Sequence, residues 1–473
     1  MLQRFYARDR SSDGRFLTGV LTTGIYCLPS CTARKPRPEN VRFFQTQEEA
    51  RSAGLRPCRR CRPDDFYRAY DPDLHLVETL AADVRRRPGA FADAAAMTAA
   101  SGIGTTKLSA LFRRHWHTTP AAFLARERVA AACRLLADDA AGLTDTAFAV
   151  GFESLSAFHD NFRRLTGLTP GDYRRLGASA EFVLALPDDY LAAHVLLHFG
   201  RDAASPTERV RGTELAKALR LDGVPARLVV RLEAGAARCR VEAERPVSPE
   251  AMRAAHAAAV RILGLGSDAP GFERHLARRP DLARLLEGRR GLRIPLTADA
   301  FEGLVWVIVG QQVNLAFAYA LRRELIERCG EPAGGGMRTH PTAEAVAALD
   351  YADLTARRFS RRKAEYVVDT ARLAARGELL PDLLAEGPAT RAEQALLAVR
   401  GLGPWSVHYF LMRACGFADC VPLGDAGLTT ALARFFGLGH RPGVEETAAL
   451  MEPFAPFRSL ATFHLWTTLG DPQ

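Results

Sequence analysis

Lysine is almost missing from this chain of 473 residues. Only Lys35, Lys107, Lys217 and Lys363 occur among 63 Lys+Arg. The cationic side chains are therefore nearly all guanidinium groups, which grip carboxylate or phosphate in a fork and stay charged. No apolar run is long enough to cross a bilayer, which excludes a helical membrane protein. Met1 to Asp13 is polar and charged, the wrong pattern for a secretory signal. With no export signal the nine cysteines are expected to be reduced, which excludes a disulfide framework. The reading is a soluble, cytoplasmic bacterial protein associated with the nucleoid and with no membrane partner.

The length is too great for one core and implies three to four domains. The net charge of +9 is unevenly placed: residues 1–177 hold 27 Lys+Arg against 19 Asp+Glu, giving +8, and the rest hold 36 against 35, giving +1. A basic front third suits a phosphate backbone, where each neutralised phosphate releases a counterion. The richness in Arg and Ala beside so few lysines also fits a codon bias, so charge alone leaves DNA binding undecided.

Residues 1–72 read as short strands and turns, with Phe16 to Tyr26 as the best strand, and this piece needs a metal to fold. From Leu74 to Leu176 the pattern is helical, broken at Ser101-Gly102, Gly142, Gly151 and Thr169-Pro170-Gly171, which makes 73–177 an all-helical domain. Gly177 to Ala180 reads as a linker. Strand patterns at Glu181 to Leu186, Ala226 to Glu233 and Arg238 to Glu244 place an α+β domain over 181–247. Helical periodicity fills 248–473, with Ala333 to Gly336 as a flexible Gly-rich connection.

Cys27, Cys31, Cys58 and Cys61 form a C-x3-C…C-x2-C set that can close a tetrahedral thiolate cage, with zinc as the first expectation. By spacing alone the cage is either a structural staple or a reactive centre. Two helix-turn-helix patterns follow. The first turns at Ser101-Gly102 and continues through Thr105 to Arg114, with Leu108 and Phe112 on one face and Lys107, Arg113 and Arg114 pointing outward. The second runs from Ala147 through Gly151, Phe152, Ser154, Ser156, Phe158, His159 and Phe162 to Thr169-Pro170 and Tyr173. Its phenylalanines form a core, and Ser154, Ser156 and His159 are free to meet a groove. This second string resembles the AraC-type transcription factor signature.

The flanks of the cysteines add a second resemblance. Thr23-Gly24-Ile25-Tyr26-Cys27-x-Pro29-Ser30-Cys31-x-Ala33-Arg34, Glu39-Asn40-Val41 and Arg56-Pro57-Cys58-x-Arg60-Cys61 resemble the Ada-type methyl-accepting zinc domain. The resemblance implies one zinc ion, both structural and methyl-accepting, with Cys27 taking a methyl group from a DNA methylphosphotriester and staying a ligand as a thioether. A methylated phosphate is neutral and escapes the repulsion that a four-thiolate cage imposes on ordinary phosphate. Arg34, Arg42 and Arg60 are the candidate phosphate contacts.

Val399 to Val407 reads as helix, Gly401-x-Gly403 hairpin, helix, whose amides can bind a phosphate. With Leu304 to Gln312 and Pro422-x-Gly424-Asp425-x-Gly427-Leu428 it resembles the helix-hairpin-helix glycosylases, their AlkA-type 3-methyladenine branch in particular. The resemblance makes Asp425 the catalytic aspartate, although a lone Asp before an apolar run is also an ordinary N-cap. It makes Gln311, Trp405, Tyr409 and Trp466 substrate-binding residues and places Gln312 at the DNA wedge, where that branch commonly carries an apolar residue. Trp405 stands where bifunctional relatives carry a lysine, which implies base excision without strand cleavage. Cys133, Cys239, Cys329, Cys415 and Cys420 do not form the four-cysteine loop of some relatives, so no iron-sulfur cluster is expected. A Pro-Cys-His-Arg motif, mark of the O6-methylguanine methyltransferase domain, is missing.

The fold class expected is thus multidomain and mainly α: a small zinc-bound α+β domain, a tandem helix-turn-helix domain, an α+β domain and an all-α helix-hairpin-helix domain. The partners expected are double-stranded DNA, alkylated or promoter, and RNA polymerase, with the chain a monomer. The rival reading is a DNA-binding regulator whose glycosylase-like domain is catalytically inactive.

Overall fold

The computed structural model describes residues 1–68, 70–137 and 142–470. The chain forms two compact units, Met1–Ala82 and Asp83–Gln473. The architecture is the mainly helical, multidomain one expected, with two small sheets.

The first unit is built on β1 (Leu17–Val20), β2 (Ile25–Cys27), β3 (Val41–Phe44) and β4 (Arg56–Pro57), in the order β3-β1-β2-β4. The single strand expected from Phe16 to Tyr26 is a hairpin. Gly24 N–H donates to Val20 O at 3.0 Å, and Gly19 pairs with Tyr26. Folding back lets each half satisfy the other's backbone groups, which one lone strand cannot do. β4 runs parallel to β2, and Cys58 N–H donates to Tyr26 O at 2.9 Å, so the two cysteine pairs meet at one sheet end. Leu17, Tyr26, Leu28, Ala50 and Leu55 are the buried core. That is too little apolar surface to hold a domain unaided.

In the second unit, α1 (Ala94–Ser101) and α2 (Thr105–Trp116) form the first helix-turn-helix. α3 (Pro120–Ala137) leads to α4 (Leu143–Ala149), α5 (Leu155–Thr166) and α6 (Pro170–Arg174). Leu108 and Phe112 are fully buried, as are Phe158 and Phe162, so the apolar stripes point where the periodicity put them. Gly151 turns at φ +93°, and a Cβ there would lie 2.7 Å from Gly89 Cα.

A five-stranded antiparallel sheet follows, in the order β5-β9-β8-β7-β6: β5 (Glu181–Ala185), β6 (Glu208–Arg211), β7 (Glu214–Leu221), β8 (Val224–Glu233) and β9 (Ala236–Ala243). α7 (Ala192–Gly200) lies between β5 and β6 in sequence. The sequence pattern missed β6, β7 and α7; in β7 the buried charge of Lys217 breaks the apolar alternation. The expected linker at 177–180 has exposed side chains at Ala178, Ser179 and Ala180 but is pinned on both sides. Leu168 and Leu176 share the sheet's core, Ala185 N–H donates to Gly167 O at 2.8 Å, and Val241 N–H to Ala180 O at 2.9 Å.

α8 (Pro249–Ile262) packs on this sheet, and its His256 lies 2.7 Å from Thr166 O. The remaining helices that position the site are α9 (Ala300–Val309), α10 (Leu315–Cys329), α11 (Arg361–Ala375), α12 (Ala389–Leu397), α13 (Pro404–Arg413), α14 (Ala426–Phe436) and α15 (Arg458–Thr467). Ala333 to Gly336 is a packed turn and not a flexible connection. Pro332 bridges to Arg338, Arg338 N–H donates to Pro206 O at 2.8 Å, and Ala333 and Met337 are buried with Ala218.

Sheet and helices are joined by a sealed group of four charges. Lys217 Nζ lies 2.5 Å from Glu208 and 2.7 Å from Glu302, while Arg322 reaches the same carboxylates at 2.7 and 2.6 Å. Burial alone would raise the Glu208 pKa; Arg322 and Lys217 override it and hold the carboxyl well below the usual range. Lys217→Met leaves a buried negative charge under-compensated. The expected loss is about 3–5 kcal/mol in urea unfolding of the full chain, and an unchanged midpoint contradicts it.

Candidate functional site

Cys27 ends β2, Cys31 follows a turn closed by Cys31 N–H on Leu28 O at 3.1 Å, and Cys58 directly follows β4 with Cys61 three residues later. The four sulfurs all lie within 4.8 Å of one another. Cys27, Cys31 and Cys58 are buried. Leu28 N–H donates to Cys61 Sγ and Arg60 N–H to Cys58 Sγ, both at 3.4 Å, the outer support that thiolate ligands receive. Hydrogen bonding with Cys31 and Cys61, then burial, pushes the Cys27 thiol up, while bonds from Cys27 and Cys61 pull Cys31 down. Four converging sulfurs that compete for protons suit a tetrahedral, sulfur-preferring dication, and zinc fits. Arg34, Arg42 and Arg60 are all exposed in this unit.

Lys107, Arg113 and Arg114 are exposed on α2, as are Ser156 and His159 on α5. Ser154 is also exposed, but its hydroxyl accepts Ala157 N–H at 3.2 Å and caps α5. The far end of α2 packs against the hairpin helices: His115 Nδ1 is 2.9 Å from Thr390 Oγ1, and Asp419 N–H donates to His117 Nδ1 at 3.2 Å. Burial lowers the His117 pKa to about 4.

Asp425 is both an N-cap and the centre of an aromatic cleft. Oδ1 accepts Leu428 N–H at 2.7 Å and the Trp466 indole N–H at 3.0 Å; Oδ2 accepts the Trp405 indole N–H at 3.0 Å. Trp405 and Tyr409 are one turn apart on α13, with centroids 5.4 Å apart, and Trp466 on α15 stands 5.7 Å from Tyr409. Two further aromatics escaped the sequence reading. Trp306 donates to the Tyr409 hydroxyl at 3.2 Å and stands 5.0 Å from Tyr319. Trp306 lies inside the Leu304 to Gln312 motif, but its side chain could not be aimed from periodicity. Tyr409 also walls a cavity of about 100 Å³, together with Trp306, Tyr319, Arg413 and His198.

The hairpin is held from two sides. Gly401 turns at φ +96°, and a Cβ there would lie 2.5 Å from the Tyr366 ring. Gly403 caps α13 and has open space beside it. Gln311, expected at the substrate, donates its side-chain amide to Gly401 O at 2.8 Å and Ser406 Oγ at 3.0 Å, tying α9 to the hairpin. Gln312 is exposed at φ +54°, a left-handed conformation uncommon outside glycine. Lys363, unforeseen, donates to the carbonyls of Ile308, Val309 and Gln311 at 3.1, 2.8 and 2.6 Å and so closes the helix end before it.

Comparison with known proteins fits this geometry. Family models match in chain order: the metal binding domain of Ada at residues 1–64, a helix-turn-helix domain at 97–176, the AlkA N-terminal domain at 181–299 and the HhH-GPD superfamily base excision DNA repair protein at 305–456. The "Probable bifunctional transcriptional activator/DNA repair enzyme AlkA" of Mycobacterium tuberculosis is 30% identical over 487 residues, 98% of this chain and 95% of that protein. The chain belongs to this family. The bifunctional transcriptional activator/DNA repair enzyme Ada of Escherichia coli is 33% identical over 191 residues, covering 39% of this chain and 51% of that one. The 3-methyladenine DNA-glycosylase of Archaeoglobus fulgidus shares the fold at TM-score 0.54 and 22% identity, over 60% of this chain and 97% of its own. The chain is thus a DNA-binding repair protein with a zinc-binding module, and none of its described helices is long and apolar enough to cross a membrane.

Gly401→Ala forces a side chain into a left-handed turn against Tyr366. It is expected to cost about 1–3 kcal/mol and to weaken binding to duplex carrying an abasic-site analogue, read by fluorescence anisotropy; wild-type affinity with unchanged melting contradicts it.

Proposed function

We propose that the protein answers DNA alkylation in two ways: it excises alkylated bases such as 3-methyladenine by N-glycosidic hydrolysis without cutting the strand, and it accepts methyl groups from methylphosphotriesters on Cys27 to regulate transcription. The observation that carries the excision reading is the Asp425 carboxylate, fixed by one amide and two indole donors within an aromatic cleft. Those donors leave a lone pair of Oδ2 free to face a sugar or a water.

Breaking the glycosidic bond builds positive charge on the sugar, and a fixed carboxylate stabilises that charge or directs water at C1′. The bond's electron pair leaves with the base. The water oxygen joins C1′, and its proton is passed off through Asp425. An alkylated purine is cationic and leaves readily, so electron-rich rings at Trp405, Tyr409 and Trp466 serve it better than a general acid. With Trp405 at the position of the relatives' lysine, no amine is at hand for Schiff-base strand cleavage. Gly401 and Gly403 offer backbone to a phosphate, Gln312 enters the gap left by the flipped base, and Gln311 acts through the hairpin it ties down.

In the amino-terminal unit Cys27 Sγ attacks the methyl carbon, the methyl–oxygen bond breaks, and an ordinary phosphodiester departs while the sulfur becomes a thioether. Cys27, Cys31, Cys58 and Cys61 would hold one zinc ion, which when bound would keep their sulfurs deprotonated at neutral pH. Arg34, Arg42 and Arg60 hold the neighbouring phosphates. Lys107, Arg113, Ser156 and His159 meet promoter DNA, with Ser154 fixing the start of α5. RNA polymerase is the partner of the activated form, the chain works as a monomer, and it carries no iron-sulfur cluster.

Three measurements test this. Wild type should release free 3-methyladenine from alkylated DNA and Asp425→Asn should lose at least about 10²-fold in rate; a wild type without release establishes the inactive-domain rival. Mass spectrometry after exposure to methylphosphotriester DNA should find one added methyl on Cys27, and an unmodified Cys27 refutes transfer. Metal analysis should find one zinc per chain, lost with the folded amino-terminal unit in Cys31→Ser; a metal-free wild-type protein with that unit folded refutes the cage.

A further inference from the structure

The two helix-turn-helix motifs share one string. Phe112-Arg113-Arg114 with Thr119-Pro120 in the first matches Phe162-Arg163-Arg164 with Thr169-Pro170 in the second, which sets His117 against Gly167. Both residues end their helix in the left-handed region, Gly167 at φ +72° and His117 at φ +50°. A β-carbon is penalised in that conformation, and glycine is the usual residue there. His117 keeps a strained backbone that glycine would relieve, and its imidazole is engaged. Nδ1 accepts the Asp419 N–H at 3.2 Å, the ring stands edge-on to Phe417 at 5.4 Å, and the Cys420 sulfur lies 3.9 Å from Nδ1. Burial keeps the ring neutral, so Nδ1 is able to accept.

Asp419 belongs to the connection between α13 and α14, the segment that delivers Asp425. Three successive amides in it are held by side chains from three places: Asp419 N–H by His117, Cys420 N–H by Ser459 Oγ of α15 at 2.9 Å, and Val421 N–H by His408 Nδ1 of α13 at 3.3 Å. Arg458 grips the Asp419 carboxylate at 2.7 and 2.6 Å. The chain then turns at once, with Leu423 N–H on Val421 O at 2.9 Å and Asp425 N–H on Pro422 O at 3.0 Å. No helix or strand separates these anchors from Asp425, so a shift at Asp419 reaches the carboxylate.

We propose that His117 is a positioning residue for base excision: the first helix-turn-helix supplies one of three anchors of the Asp425 loop, and the excision site is incomplete without the DNA-reading segment. This rests on the glycosylase reading above. His117 acts through the Asp419 amide and not on the substrate. An amide deprived of its acceptor turns to another partner, and the loop turns with it. Small displacements of a reacting carboxylate cost rate, while the grip of the hairpin on the duplex is untouched.

The test uses the full chain, with single-turnover release of 3-methyladenine from alkylated duplex and, separately, affinity for duplex carrying an abasic-site analogue. His117→Gly gives the first motif the residue of its tandem copy, relieving the backbone while removing the acceptor. It is expected to slow release by about 10- to 10²-fold and to change abasic-duplex affinity by less than about threefold. His117→Asn tolerates the left-handed backbone and returns an amide oxygen near the place of Nδ1, so it is expected to recover most of the rate. Rates are counted per chain able to bind the abasic duplex, so misfolded protein does not imitate the effect. Should the glycine variant fail to fold, His117→Leu is compared with His117→Asn in the same way. An unchanged rate in an acceptor-less variant of an active enzyme overturns the inference and leaves the glycosylase reading standing. Equal slowing in the glycine and asparagine variants, or a loss of affinity as large as the loss of rate, overturns it too. A wild type that releases no base overturns both.

Discussion

Two carboxylates and two cations, sealed between a sheet and a helical layer, set the frame of the second unit. Glu208 and Lys217 belong to the sheet strands, and Glu302 and Arg322 to α9 and α10. Each charge costs several kcal/mol to dehydrate, so the group is stable only when all four meet with good geometry. That condition fixes one docking of sheet on helices and penalises others. The cleft follows from it. Trp306 is one turn beyond Glu302 on α9, and Tyr319 is one turn before Arg322 on α10, so the aromatics that meet Tyr409 are placed by the same contact.

Around Asp425 the structural role and the chemical role proposed for it need one arrangement. A cap needs an oxygen on the first free amides of α14, and a charge-stabilising carboxylate needs an oxygen held still near the sugar. Leu428 N–H and two indoles immobilise the group for both. Neighbouring cations behave in opposite ways. Arg322 is neutralised by two carboxylates, while Arg413 is buried against a histidine.

The two units rely on different forces. Residues 1–82 have a small apolar core around a short sheet, with four cysteines brought together at the sheet end, whereas the rest is held by extended apolar clusters. Within that larger unit the helix-turn-helix segment is not tethered by a loop. Thr166, Leu168 and Leu176 are embedded in the sheet domain, and α2 leans on α12 through His115 and Thr390. α2 and α12 therefore share a wall, which fixes the position of one relative to the other.

The sequence by itself determined what local spacing controls. The four cysteines, the buried faces of α2 and α5, the hairpin glycines and Asp425 as a cap before an apolar run were legible because each depends on residues a few positions apart. The family resemblance, carried by those same strings, supplied the chemistry. What only tertiary structure decided are relations between distant residues. Lys217 could not be seen as a strand residue, because its partners Glu208 and Glu302 lie 9 and 85 positions away. The Gly-rich segment from Ala333 to Gly336 looked loose because the segment that pins its neighbour Arg338, at Pro206, is remote in sequence. That Gln311 bonds to the hairpin, and that Arg413 bonds to a histidine, could not be read for the same reason: which charges and dipoles face a side chain is set by the packing of whole elements, and periodicity carries no information about it.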